Sequence, residues 1–194
     1  MGGVKVVYLA RHGETDWNRM RRWQGATDVP LNDEGRAQAR ALAARLGDLG
    51  LSRVWSSDLS RASETAAIVS AELALPRAGT LAHFRERSFG VFEGLTREEC
   101  EARYPDAWRA YVEDHRTTPP EAEPAEAVVA RMRAGIFRVA RESGEGATLV
   151  VSHGACIRMT LAALGGAPRP PIANAAVFRL VVSAGDSVEI EEVE

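Results

Sequence analysis

The sequence predicts an α/β fold on a largely parallel sheet, with an antiparallel pair of strands at one edge. Three observations carry this. Strand-like and helix-like runs alternate along the chain, as they do when helices cover a parallel sheet. The runs "VKVVYLA" (4–10) and "ATLVVS" (147–152) are apolar on both faces, as strands covered on both sides are. The tail "AAVFRLVVSAGDSVEIEEVE" reads as two strands joined by the turn "SAGDS", hence a hairpin.

The elements follow in order. After the first strand, "NDEGRAQARALAARLGDLG" (32–50) is a helix that Asn32 or Asp33 can cap, with alanines and leucines at helical spacing and glycines to close it. "SRVWSS" (52–57) is a second strand, followed by the helix "DLSRASETAAIVSAEL" (58–73). "GTLAHF" (79–84) is a third strand. Residues 96–142 read as helices interrupted by the loop "TTPPEAEP" (117–124), and Pro124 suits the first turn of the next helix. "GACIRMTLAALGG" (154–166) is a helix with a glycine stop. With no internal repeat and no linker, residues 1–194 read as one domain.

Composition narrows the function. A chain of 194 residues can bury a sizeable core, and 45% hydrophobic with 26% charged residues is ordinary for a soluble globular protein. A net charge of −3 offers nothing to nucleic acid or to an anionic membrane. Two cysteines, Cys100 and Cys156, make no disulfide framework and suit a reducing compartment. The short apolar run before Arg11 is too brief for a signal peptide or a spanning helix, so a cytoplasmic protein is expected.

The chemistry gathers beyond the carboxyl ends of the strands, where open α/β sheets bind ligands. Arg11 and His12 follow the first strand, Arg61 follows the second and His153 follows the fourth. Gly13 and Gly154 let the backbone turn sharply or approach a ligand. A strand that ends at His-Gly and starts a helix aims free N–H groups at the site, which favours an anion. Two arginines add forked donors that match phosphate oxygens. Together these predict a phosphoryl site.

Several other phosphoryl chemistries fit the sequence less well. No "GxxxxGK[ST]" is present for a nucleotide-cradling loop. Cys156 is followed by "IRMTLA", not by the arginine spacing of a cysteine phosphatase loop, and no pair of aspartates opens a strand end. The carboxylate clusters of a two-metal site are missing beside His12 and His153. Histidine itself remains as the nucleophile.

The segments "ARHGETDWNRMRRWQGATDVPLNDEGRAQA", "SSDLSRASETA", "FRERSFGVFEGL" and "VVSHGACIR" resemble, in order and spacing, the four motif blocks of the histidine phosphatase superfamily, also called phosphoglycerate mutase-like. The resemblance covers nearly the whole chain. It implies a three-layer α/β/α sandwich whose central sheet is mostly parallel with an antiparallel edge. It also implies a phosphohistidine intermediate, without a metal or any other cofactor. Carried over, His12 is the nucleophile, while Arg11, Arg61 and His153 bind the transferring group. Glu86, in "FRER", is the proton donor to the leaving oxygen and then accepts a proton from water. Asn18, Gln24 and Gly25 match pocket-lining positions, and Gly154 can supply a backbone donor.

Weaker assignments stay open. Glu86 has Glu93 as a neighbouring candidate, and Trp17 and Trp23 form a pocket rim or merely pack. Glu14 orients the site or bonds to backbone. His83 and His115 match no block. Within the family, "GVFEGLT" resembles the phosphatase branch, and "DHRTTPP" carries a single Arg116 where mutases show paired arginines. Arg87, in "ERSFG", argues the other way, since it could meet a substrate carboxylate as in mutases. Pro124 stands where relatives place a serine cap. The expected activity is hydrolysis of a small phosphorylated metabolite. A phosphoglycerate mutase and a non-catalytic phospho-ligand module are the alternatives. The terminal hairpin offers an edge through which a homodimer could pair, although the charged "VEIEEVE" protects it.

Overall fold

The structure is a computed structural model that describes residues 4–114, 117–165, 169–183 and 187–192. His115, Arg116, Gly166 and the centre of the "SAGDS" turn therefore lie outside the described residues. Strands β1 (Lys5–Arg11), β2 (Leu51–Ser56), β3 (Arg77–Thr80), β4 (Ala147–Ser152), β5 (Val177–Val182) and β6 (Val188–Glu192) form one sheet in the order β3-β2-β4-β1-β5-β6. The first four are parallel, and β5 and β6 add an antiparallel edge beside β1, as expected.

Seven helices connect them among the described residues: α1 (Asp16–Arg19), α2 (Asp33–Leu46), α3 (Ser60–Glu72), α4 (Arg97–Arg103), α5 (Pro105–Glu113), α6 (Ala125–Glu142) and α7 (Gly154–Gly165). Side chains alternate across a strand, so β1 sends Val7 and Leu9 to one face and Tyr8 and Ala10 to the other. Val7 and Leu9 pack with Met132 and Ile136 of α6 and with Ile157 and Leu161 of α7. Tyr8 and Ala10 pack with Leu42 and Leu46 of α2 and with Ala62 and Val69 of α3. Helices on both faces of a doubly apolar strand make the three layers.

A third cluster, with Phe89, Phe92, Leu95, Trp108 and Tyr111, joins the 89–95 segment to α4 and α5 above the sheet. Asn32 caps α2, its Oδ1 accepting from Gly35 N at 2.8 Å. Thr96 and Glu99 form a reciprocal capping box on α4. Pro124 precedes α6 as an N-cap without a side-chain bond, in extended geometry.

Helix α1 and a 3-10 turn at Gly90–Phe92 have no counterpart in the sequence reading, and the third strand is read differently. It runs over Arg77–Thr80, and Ala82–Phe84 turns into a 3-10 helix. The apolar residues Leu81 and Phe84 that resembled strand are there because they are buried in the core.

Candidate active site

Register brings the two histidines together. In the parallel ladder of β1 and β4, Arg11 lies opposite Ser152, so His12 and His153 leave adjacent strands side by side. Their ring centroids are 5.1 Å apart at 61°. His12 N donates to Ser152 O at 3.0 Å, and Asn174 Nδ2 donates to His12 O at the same distance. Both rings are buried.

Hydrogen bonds set the tautomers. The Nδ1 of His12 lies 2.6 Å from Gly13 O, and a carbonyl can only accept, so Nδ1 carries the proton and Nε2 the lone pair. His153 is the reverse: Arg61 Nε donates to its Nδ1 at 3.2 Å, which leaves the proton on Nε2. That Nε2 is buried with no partner among the described residues. Burial holds both rings well below the usual histidine range; Arg11 and then Arg61 add to this for His12, and Arg61 leads the charges acting on His153. The pair is neutral.

Arg61, fully buried in the first turn of α3, also donates through Nη1 to Thr27 O at 2.9 Å and through Nη2 to Gly25 O at 2.8 Å. The loop that offers those carbonyls is held by Glu93. Its Oε1 accepts from Ala26 N (3.0 Å) and Phe89 N (2.9 Å), and its Oε2 accepts from Thr27 N (3.0 Å) and Thr27 Oγ1 (2.6 Å). Gly25 sits at φ +53°, where a Cβ would lie 2.0 Å from Glu93 Oε1. Arg11 donates through Nη1 to Ile172 O, while its Nε is buried without a partner among the described residues.

Glu86 sits where the sequence aimed free N–H groups at a ligand. Its Oε2 accepts from Ala155 N at 3.0 Å, and its Oε1 accepts from Cys156 N at 2.8 Å and Arg87 N at 2.9 Å. The first turn of α7 thus binds a carboxylate of its own chain. Gly13 N likewise donates to Thr65 Oγ1 at 3.1 Å. The close approach that Gly13 permits is to α2, since a Cβ there would lie 2.3 Å from Gly35 O.

A pocket of about 800 Å³ opens over these groups. Arg11, His12, Asn18, Gln24, Gly25, Arg61, Glu86 and Gly154 line it, with His153 against His12 behind them. Arg87 is not among its lining residues; it is buried, donates through Nε to Glu123 O at 2.8 Å and lies over the Phe89 ring. Trp23 does both things asked of it, lining the pocket and stacking near Phe89 at 4.6 Å, whereas Trp17 and Glu14 do not line it. Glu14 instead accepts from Asn32 Nδ2 at 2.8 Å.

The outer wall includes Phe89, Trp108, Tyr111 and Arg158, side chains the sequence did not single out, as it did not single out Asn174 behind His12. Arg158 lies in the quoted "SHGACIR", four residues after Gly154 and so on the same helix face, a signal that could have found it. Burial pushes the Cys156 thiol up to about 12, so it stays a thiol, donating to His153 O at 3.2 Å. Among the described residues no cluster of three His, Cys, Asp or Glu side chains is disposed to hold a metal.

The sequence model of the family described as histidine phosphatase superfamily (branch 1) matches residues 7–191. The chain belongs to the histidine phosphatase superfamily. It is 36% identical over 163 residues to "Uncharacterized phosphatase PhoE" of Bacillus subtilis (strain 168), covering 84% of this chain and 79% of that one. It is 35% identical over 169 residues to "Probable phosphoglycerate mutase GpmB" of Yersinia pestis (strain Pestoides F), covering 84% and 75%. Among solved structures, the mycobacterial glucosyl-3-phosphoglycerate phosphatase in complex with VO3 superposes with a TM-score of 0.86 at 29% identity, covering 98% of each chain. Bacillus stearothermophilus YhfR gives 0.87 at 30% identity over 97% of this chain and 96% of that one. The histidine phosphatase match spans the sheet from within β1 to within β6, so both histidines, Arg61 and Glu86 lie inside it. No described helix is long and apolar enough to cross a membrane.

Proposed function

We propose that this histidine phosphatase is a metal-independent phosphomonoesterase that hydrolyses a small phosphorylated metabolite through a phosphohistidine on His12. The observation that carries the reading is the 2.6 Å bond from His12 Nδ1 to Gly13 O, which puts the single proton of the buried ring on Nδ1 and the lone pair on Nε2. The relatives named phosphatases support hydrolysis over the phosphoglycerate mutase alternative.

In the first step Nε2 attacks phosphorus, the P–N bond forms and the P–O bond to the leaving alcohol breaks. The uncommitted N–H groups of Arg11 and Arg61 and the Nε2–H of His153 hold the non-bridging oxygens as charge builds on them. The leaving oxygen takes its proton from Glu86. With Oε1 already accepting two N–H bonds and Oε2 only one, the open lone pair that carries this proton is on Oε2. In the second step water attacks phosphorus and gives its proton back to Glu86. The P–N bond breaks and inorganic phosphate leaves.

The aromatic outer wall gives room well beyond a phosphoryl group, which suits a leaving alcohol that extends over Trp23 and Phe89. The test is turnover of p-nitrophenyl phosphate and a panel of phosphorylated metabolites in EDTA. Hydrolysis that disappears in His12→Ala supports the proposal. Interconversion of phosphoglycerates primed by a bisphosphoglycerate would make the protein a mutase. Phosphate binding without turnover of any ester would make it a binding module.

A further inference from the structure

The stretch that carries Glu86 has no strand ladder to hold it. It leaves the Ala82–Phe84 turn in extended geometry, and four consecutive carbonyls, those of residues 83–86, are held by side chains from elsewhere. Ser152 Oγ donates to Phe84 O at 2.8 Å. The other three all belong to one guanidinium. Arg131, on α6, donates through Nη1 to His83 O at 2.9 Å and to Arg85 O at 2.6 Å, and through Nη2 to Glu86 O at 3.1 Å.

The remaining donors of Arg131 reach Glu123, Nε to Oε1 at 2.7 Å and Nη2 to Oε2 at 2.8 Å. All five N–H groups of the guanidinium are used. Glu123 in turn grips the far side of Glu86: its N donates to Ser88 O at 3.0 Å, and its O accepts from Arg87 Nε at 2.8 Å. Residues 83–88 are thus clamped before and after the carboxylate. Neither Arg131 nor Glu123 lines the pocket.

We infer that Arg131 and Glu123 are positioning residues that hold the Glu86 carboxyl within reach of the leaving oxygen. This rests on the role given to Glu86 above. A planar fork holding three carbonyls fixes a backbone more tightly than a single ammonium donor can, so lysine is not an equivalent. A displacement of about 1 Å at a reacting group costs on the order of 100-fold. The cost falls only where a proton must be delivered. A nitrophenolate leaves as a stable anion, while an alkoxide does not.

The experiment compares kcat/KM, which reports the phosphorylation of His12, for p-nitrophenyl phosphate and for a simple alkyl phosphate. Glu86→Gln is the benchmark, together with wild type, Arg131→Lys and Glu123→Gln. We expect Arg131→Lys to lose on the order of 100-fold on the alkyl ester and roughly threefold or less on the nitrophenyl ester. Glu123→Gln, which keeps one acceptor oxygen and the main-chain contacts, should move the same ratio in the same direction by a smaller factor. It keeps the test decisive if Arg131→Lys does not fold. The inference is overturned if Glu86→Gln changes the ratio while both clamp variants lower the two substrates equally or not at all. If Glu86→Gln leaves the ratio unchanged, the acid role itself is wrong and the clamp inference falls with it.

Discussion

Arg61 Nε donates to His153 Nδ1 at 3.2 Å, and this contact decides which imidazole nitrogen carries the proton. The guanidinium contributes more than charge. It turns the histidine into a donor, because a neutral ring that accepts at Nδ1 must carry its proton at Nε2. The same side chain is tied to the Gly25 and Thr27 carbonyls, so the ring, the arginine and the loop share one arrangement.

Arg61→Lys keeps the charge but cannot make all three contacts. Losing a preorganised donor from such a site costs on the order of 10²–10³ in turnover. The variant should therefore lose kcat by about that factor, with a smaller change in KM. Steady-state kinetics on p-nitrophenyl phosphate read this directly. A rise in KM with kcat unchanged would mean that Arg61 only recruits substrate.

Stability should fall as the solution is acidified. His12 and His153 are held well below their ordinary value of 6.5, so the unfolded chain binds protons that the folded chain refuses. Above that value the stability is fully present; below it, each ring contributes a slope of up to about 1.4 kcal/mol per pH unit. The charged groups acting on the pair are Arg11, Arg61 and, for His153, Arg131, while Glu86 acts on Arg11 and Arg61. Urea unfolding between about pH 5 and pH 7 should show this slope, reduced in His153→Asn. An unchanged slope in that variant contradicts the prediction.

Two glycines with positive φ give a matched pair. Gly50, at φ +64° with nothing within 4 Å of its Cβ position, should lose only the left-handed strain on substitution by alanine, about 1–2 kcal/mol. Gly25→Ala adds a clash with the Glu93 carboxylate and disturbs several of its hydrogen bonds. It should cost about 2 kcal/mol more and lower turnover, whereas Gly50→Ala leaves turnover unchanged. Denaturant unfolding and kinetics on both variants check it. Equal stability losses would mean that Glu93 moves aside freely.

The parts of the site legible in the sequence were those attached to strand ends. Arg11, His12 and His153 each directly end or follow an apolar strand, and the α/β rule puts such residues at the ligand. What held them was not legible. Arg131 and Glu123 are eight residues apart and look like surface charges; only the fold brings His83, Arg85 and Glu86 to that guanidinium. Glu93 looked like a rival to Glu86, yet it braces the loop under Arg61. The N–H groups of α7, expected at a ligand, were claimed by Glu86 because a carboxylate in the chain meets the same electrostatic demand. Arg87, which the sequence left open between a substrate contact and a surface arginine, is buried and donates to Glu123 O outside the pocket lining.

The most direct test of the account is the position of the phosphoryl group on the enzyme. Wild-type protein quenched during turnover, digested under alkaline conditions and analysed by mass spectrometry and phosphorus NMR should carry phosphate on Nε2 of His12, since Gly13 O occupies Nδ1. Phosphate on His12 Nδ1, or on any other side chain, would contradict it.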